Sequence, residues 1–260
     1  MGKTALITGA SNGIGYELAR INAEKGNNLV LIARSKNKLD ELKRGLEAKY
    51  KISVFTICKD LSVPAAPLEV YDEIKKKSIS VDYLINNAGF GDFGPFAESD
   101  WNKQEQMINL NITALSHFTR LCLPELIKRG SGKILNLAST ASFQPGPMMS
   151  VYFATKAFVL SFSEAINEEV REFGITVTAL CPGSTQSGFQ AVATGEGRKL
   201  VERNHIPASR EVAEFGYKAM MRGNAVAIHG LRNRIVANSI RFIPRSLVVK
   251  LARKIQSKKF

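Results

Sequence analysis

Apolar positions along this chain fall into two alternating patterns. Short, nearly unbroken apolar runs lie at residues 3–8, 28–33, 52–58, 81–86, 132–138, 175–181 and 225–229. Between them are segments in which apolar residues recur every three or four positions, at 14–25, 36–50, about 100–129, 151–173 and 211–222. The unbroken runs read as strands covered on both faces, because a half-exposed strand would alternate apolar with polar. Strands separated by helices need right-handed crossovers, which give a parallel sheet with helices on both sides. The pattern predicts an α/β fold, a three-layer doubly wound parallel sheet, with residues 1–230 as one domain. No internal repeat or low-complexity linker interrupts it. Only 185–207 lacks clear periodicity. It is rich in Gly, Thr and charge, and reads as a mobile lid.

Composition adds little until charge is considered. A chain of 260 residues, 45% apolar and 23% charged, suits one globular domain with a full core. Cys58, Cys122 and Cys181 lie far apart without metal-type spacing, and read as reduced packing thiols of a cytoplasmic protein. His117, His205 and His229 have no partners at ligand or triad spacing, so no metal site is expected. His117 reads as a packed helical residue and the other two as surface or loop. The first residues lead straight into a strand without a leader layout. No run of about 18 apolar residues offers a membrane span.

The formal charge of +13 is uneven: residues 229–260 carry nine Lys or Arg and no Asp or Glu, leaving +4 for the rest. In this extension, 231–260, Pro244 can open a helix as its first residue. Leu247, Val248, Leu251, Ala252 and Ile255 recur at helical spacing, with Lys250, Arg253 and Lys254 on the other side. Two readings stand. A basic amphipathic helix can lie on an anionic membrane, making the protein a peripheral membrane visitor. It can equally pack on its own domain with its cations in water. A nucleic-acid partner is not expected, because no recognition module accompanies the charge.

Candidate chemistry gathers in three places. Gly9, Ser11, Asn12, Gly13, Ile14 and Gly15 sit between the first strand and the first helix. Glycines there allow close backbone approach, and a helix N-terminus offers free N–H groups to a pyrophosphate. At the end of the second strand, where an acidic residue would hold the ribose of NAD, the chain has Arg34, a planar fork suited to a phosphate. Lys38 is in range but reads as surface. Third, Tyr152 and Lys156 stand one helical turn apart on a shared face, with Ser139 thirteen positions before the tyrosine. A phenol, a cation and a hydroxyl at one point can deliver a proton to a substrate oxygen. Acid–base work near neutrality calls for a tyrosine pKa about 3 units below its ordinary value, and Lys156 is placed to lower it.

Taken in order, these residues resemble the short-chain dehydrogenases/reductases over roughly residues 3–230. The matching pieces are Thr8-Gly9-x-x-x-Gly13-x-Gly15, Asp60-Leu61, Asn86-Asn87-Ala88-Gly89, Asn111, Ser139, Tyr152-x-x-x-Lys156 and Pro182-Gly183. The resemblance implies a Rossmann-type sheet of seven strands and an NADP(H) cofactor. It implies Asn111, Ser139, Tyr152 and Lys156 as a catalytic tetrad, with Asn111 holding a water that links Lys156 to solvent. Asp60 and Leu61 would meet the adenine, with Asn87, Ala88 and Gly89 beside the adenosine. Ser187 falls where the family usually has a Thr that bonds the nicotinamide carboxamide, and Pro182 and Gly183 would also meet the cofactor. Asn12 stands where many NADP-using members have a basic residue, which leaves phosphate recognition to Arg34.

The implied activity is reduction of a ketone, aldehyde or 3-oxoacyl group by a homodimer or tetramer, in which the two long helices commonly pair. Alternatives are a non-catalytic NADP(H) sensor or scaffold and a 3-oxoacyl carrier-protein reductase. Phe90, Phe93, Phe96, Phe143, Met148, Met149 and Phe189 border the expected site. They suggest an apolar substrate pocket, or equally core and dimer contacts.

Overall fold

A computed structural model of the chain describes residues 2–189, 193 and 206–257. Seven strands form one parallel sheet: β1 (Thr4–Thr8), β2 (Asn28–Ala33), β3 (Val54–Cys58), β4 (Tyr83–Asn86), β5 (Gly132–Leu137), β6 (Ile175–Cys181) and β7 (Val226–Ile228). Their order is β3-β2-β1-β4-β5-β6-β7, so the winding reverses between β1 and β4. Their unbroken apolar runs have a simple cause. Successive side chains point to opposite faces, and both faces are cores. Ala5 and Ile7 join one core and Leu6 the other; Leu29 and Leu31 face one side, Val30 and Ile32 the opposite.

The first core packs under α1 (Gly13–Glu24), α2 (Lys36–Tyr50) and Val212, Ala213 and Met220 of a later helix. The second packs under α3 (Ala66–Lys76), α5 (Leu115–Arg129) and α6 (Ser150–Val170), while α4 (Trp101–Ile108), which leads into α5, sends Met107 into the cluster around Tyr152. The chain then forms α7 (Ser209–Arg222), α8 (Leu231–Ser239) and α9 (Arg245–Ser257). Arg210 binds α7 to α1, donating to Glu24 at 2.6 and 2.9 Å while also pairing with Glu214 at 2.7 Å.

The sequence reading has no element at 66–76, yet α3 is there. Its signals are Pro67 in the first turn and buried Val70 and Ile74 one turn apart. The single helix expected over 100–129 is broken by a π-helical segment, Asn109–Ala114, and the helix at 151–173 ends in a 3₁₀ turn, Arg171–Phe173. The strands at 52–58, 81–86 and 225–229 are each shorter by one to two residues at an end.

In the extension, Pro244 lies just before α9 rather than within it, and its carbonyl accepts from Leu247 and Val248 N–H. The apolar stripe also splits: Val248 and Ala252 are buried, whereas Leu247, Leu251 and Ile255 are exposed. His229 is not a free surface group. It pairs with Glu211 at 3.2 Å and sits edge-on to Phe215. Most of the expected lid at 185–207, and His205 with it, lies outside the described residues.

Candidate active site

The turn after β1 is pressed onto the end of β4. Gly9 has φ +67°, and a Cβ there would stand 2.8 Å from Asn87 Nδ2 and 2.9 Å from Ala88 Cα. A Cβ at Gly15 would collide with the same Asn87 amide and with the Gly9 carbonyl. Thr8 and Asn87 hold the two segments together. The Thr8 hydroxyl accepts from Asn87 and Ala88 N–H, each at 3.0 Å, and the Asn87 amide donates to the Thr8 carbonyl at 2.9 Å and to Gly9's at 3.2 Å.

Ser11 and Asn12 lead into α1, and Asn12 Oδ1 accepts from Gly13 N–H at 2.8 Å. The first turn of α1, which includes Gly13, Ile14 and Gly15, contains no acidic residue. A helix N-terminus without a carboxylate, behind a turn with no room for a side chain at Gly9, fits a pyrophosphate. Ser187 overhangs this turn: a Cβ on Gly13 would lie 3.1 Å from its Cβ.

At the end of β2, the Arg34 side chain is 73% exposed, and its guanidinium lies 3.9 Å from the Asp60 carboxylate. A pair this open and long is weak, so the fork is available to an anion. Burial pushes the Asp60 pKa up, but the Ser62 N–H and hydroxyl, with Arg34, outweigh it and hold the carboxyl below its ordinary range. Leu61 is buried beside it. On the other side of the crevice, the Pro182 carbonyl accepts from Thr140 N–H at 2.9 Å, and Gly183 lies against the Asn233 amide.

The four tetrad candidates come together at the carboxyl end of β5. Ser139 follows β5, Tyr152 and Lys156 face it from α6, and Ser139 lies close enough to the Tyr152 phenol to pull its pKa downwards. Lys156 Nζ lies 5.9 Å from the centre of the Tyr152 ring and donates to the Leu137 carbonyl at 2.7 Å. Asn111 sits in the π-helical segment, whose wider turn re-aims its side chain. Its Oδ1 accepts from Phe90 N–H at 3.2 Å, and its amide donates to the Phe90 carbonyl at 3.0 Å and the Thr155 hydroxyl at 3.1 Å. At Gly89 a Cβ would meet Asn111 Oδ1 at 2.9 Å and Lys156 Nζ at 3.4 Å. Only glycine leaves that gap open between the two.

Two positioning hydroxyls escaped the sequence reading. Thr155 passes the Asn111 bond on to the Tyr152 carbonyl at 2.7 Å. Ser142 accepts from Ser139 N–H at 3.3 Å and donates to the Lys156 carbonyl at 2.6 Å, tying the serine to the lysine's helix. Both are short polar residues among many. No spacing rule singles them out, though each is buried and therefore obliged to find a partner.

The electrostatics correct one expectation. Burial pushes the Tyr152 pKa up to about 12, only partly countered by Ser139. Burial pulls Lys156 down to about 8, against a smaller upward effect of Cys181. The protein alone therefore does not lower the phenol. Desolvation dominates, and the Lys156 ammonium is held on the Leu137 carbonyl.

The aromatic surroundings divide. Phe90, Phe93 and Phe189 pack with Met149 and Tyr152, and the Phe189 ring lies 5.1 Å from the Tyr152 ring. Phe143 instead joins a cluster with Leu115, Val159 and Leu160, and Phe96 is 58% exposed. Met148 holds φ +68° in the loop before α6.

A family model described as short chain dehydrogenase matches residues 3–196. The very-long-chain 3-oxoacyl-CoA reductase of Homo sapiens is 32% identical over 260 residues, covering 96% of this chain and 80% of its own. A short-chain dehydrogenase from Sphingobium yanoikuyae, solved in complex with NADPH, is 33% identical with a TM-score of 0.82, covering 92% of this chain and 94% of that one. A bulky-bulky ketone specific alcohol dehydrogenase from Comamonas testosteroni is 30% identical with a TM-score of 0.79, covering 92% of each chain.

Proposed function

The chain belongs to the short-chain dehydrogenase family, and we propose that it is an NADPH-dependent oxidoreductase that reduces a carbonyl to an alcohol, reversibly. The observation that carries this reading is the buried Tyr152 phenol with the Lys156 ammonium over its ring and Ser139 facing it from the end of β5, beside a close-packed glycine turn fit for a dinucleotide. The bound cofactor supplies the hydride. Tyr152 gives its proton to the substrate oxygen, and Ser139 donates a hydrogen bond to that oxygen as charge develops on it. Lys156 stabilises the phenolate that remains. Asn111 keeps the Phe90 backbone and α6 in register around the gap at Gly89, through which a water would return the proton. Arg34 grips the 2′-phosphate.

Phe90, Phe93, Phe189 and Met149 favour an apolar substrate. The ketone and 3-oxoacyl-CoA activities named for the relatives are the two substrate classes to try first. An NADP(H) sensor needs no buried tyrosine–lysine pair, and the relatives are reductases and dehydrogenases. A carrier-protein reductase would have no need of the long basic amphipathic extension.

The same reading makes the protein a homodimer or tetramer pairing α5 and α6. Phe158, 40% exposed and stacked on Phe162, gives α6 an outward apolar ridge for it. The three unpaired cysteines suit a reducing compartment. Peripheral membrane contact through residues 231–260 would bring an apolar carbonyl within reach.

The test is an NADPH-oxidation screen over ketones, aldehydes and 3-oxoacyl thioesters, with Tyr152→Phe as control. The variant should lose about 10²–10⁴-fold in kcat while still binding NADPH. Near-normal turnover by Tyr152→Phe would remove the mechanism.

A further inference from the structure

Among the described residues, seven of the fifteen large apolar side chains left exposed fall within 231–255. They are ordered. On α9, Leu247, Leu251 and Ile255 stand one turn apart at 47%, 46% and 62% exposure. They run beside the buried Val248, Ala252 and Gln256, which seat the helix. Lys250 and Lys254 follow the outer flank of the same stripe. On α8, Leu231 and Ile235 are again one turn apart, 75% and 59% exposed, with Arg232 and Arg234 beside them. Phe242, in the turn joining the two helices, is 88% exposed. Apolar residues gathered like this mark a surface that meets something.

We infer that α8, the Ile240–Phe242 turn and α9 form a docking face for an anionic phospholipid bilayer. The inference builds on the proposed membrane contact and names the face and what it meets. Charge decides between the possible occupants. Residues 229–260 carry nine cations and no anion. A second copy, docked about a twofold axis, would set this patch against itself, like charge on like. A bilayer rich in acidic headgroups offers the opposite sign and accepts the apolar stripes between its acyl chains.

The face lies in the interface and does not cross it: no helix among the described residues is long and apolar enough to span a membrane. Its position gives it a use. α8 packs against the Thr140–Phe143 turn directly after Ser139, so the docked edge is the edge that carries the site. A lipid-dissolved carbonyl would then enter from the membrane rather than from water.

The experiment is co-sedimentation of the full chain with vesicles of mixed phosphatidylserine and phosphatidylcholine, and with pure phosphatidylcholine. Two exposed pairs are changed: Arg232→Gln with Arg234→Gln, and Phe242→Ser with Leu251→Gln. Binding should be strong only with phosphatidylserine and should weaken with salt. The arginine pair should lower it about 25-fold, at about fivefold per cation. The Phe242/Leu251 pair should lower it at every salt concentration. NADPH-dependent turnover of a water-soluble carbonyl and the thermal midpoint should stay unchanged in both variants. That separates this inference from the reading of the site: loss of turnover in the unmodified protein would fault the site and leave the vesicle result standing. Equal sedimentation of wild type and both variants would overturn the inference. So would a concentration-dependent dimer, abolished by the Phe242/Leu251 pair, in a protein that ignores the vesicles.

Discussion

Lys156→Met should stabilise the cofactor-free protein while destroying its activity. Lys156 is 4% exposed, and burial lowers its pKa from 10.5 to about 8. A lysine depressed in the folded state binds protons less well there than in the unfolded chain. Its charge therefore costs stability fully below about pH 8, and the cost fades as pH rises towards 10.5. Integrating between the two values gives about 3 kcal/mol at pH 7 and about 1 kcal/mol at pH 9.5. Methionine fills similar space without the charge. It also leaves the Leu137 carbonyl without its 2.7 Å donor, a penalty of roughly 1–3 kcal/mol. That penalty does not depend on pH, so it cancels when the variant is compared with wild type at the two pH values. Urea unfolding of both proteins at pH 7 and about pH 9.5 should show the variant's relative stability falling by about 2 kcal/mol at the higher pH. A difference that does not move with pH, or that grows in the methionine's favour, would show that Lys156 is not held at the cost of its hydration.

Two further substitutions test the nucleotide side. Arg34→Asp exchanges a phosphate fork for a repelling carboxylate; a charged hydrogen bond of about 1.5–3 kcal/mol is lost, so the kcat/KM preference for NADPH over NADH should fall by at least tenfold. An unmodified enzyme that uses both cofactors equally would show that Arg34 is a solvated cation. Thr8→Val removes the one hydroxyl that accepts from both Asn87 and Ala88 N–H. Two inward-facing donors left unpaired cost about 2–4 kcal/mol, so calorimetry should show a clearly lower Tm, and an unchanged Tm would mean the clamp is not structural.

What the sequence made legible follows the physics of each signal. The sheet could be read because both faces are buried, so each strand declares itself as an unbroken apolar run. Helix α3 was hidden because its apolar face is only Ala66, Pro67, Val70 and Ile74, diluted by charge that ends in Lys75, Lys76 and Lys77. The tetrad was legible by spacing, since Tyr152 and Lys156 must share a helical face. What brings Asn111 to them was not. A π-helical turn leaves no mark in apolar periodicity, and it appears only as hydrogen bonds from Asn111 to the Phe90 backbone and Thr155. The extension was half legible. Its stripe was visible as spacing, but which half of it would be buried depends on how α9 is seated, which spacing alone does not carry.

The upward shift of Tyr152 changes what the site is prepared to do. A proton donor for carbonyl reduction must begin protonated, and a phenol pushed up to about 12 is fully so at neutral pH. The difficulty comes afterwards, when phenolate is left in a buried place. Burial works against it there. The ammonium of Lys156, 5.9 Å from the ring centre, is the positive charge nearest to offset that, and with Lys156 at about 8 it is present at pH 7. Proton donation then starts from a fully protonated phenol, with no phenolate in the resting protein. Oxidation of an alcohol needs that phenolate at the start, against burial, and so depends more on added positive charge, which an oxidised nicotinamide carries. By itself, the resting chain holds the protonated phenol from which reduction begins.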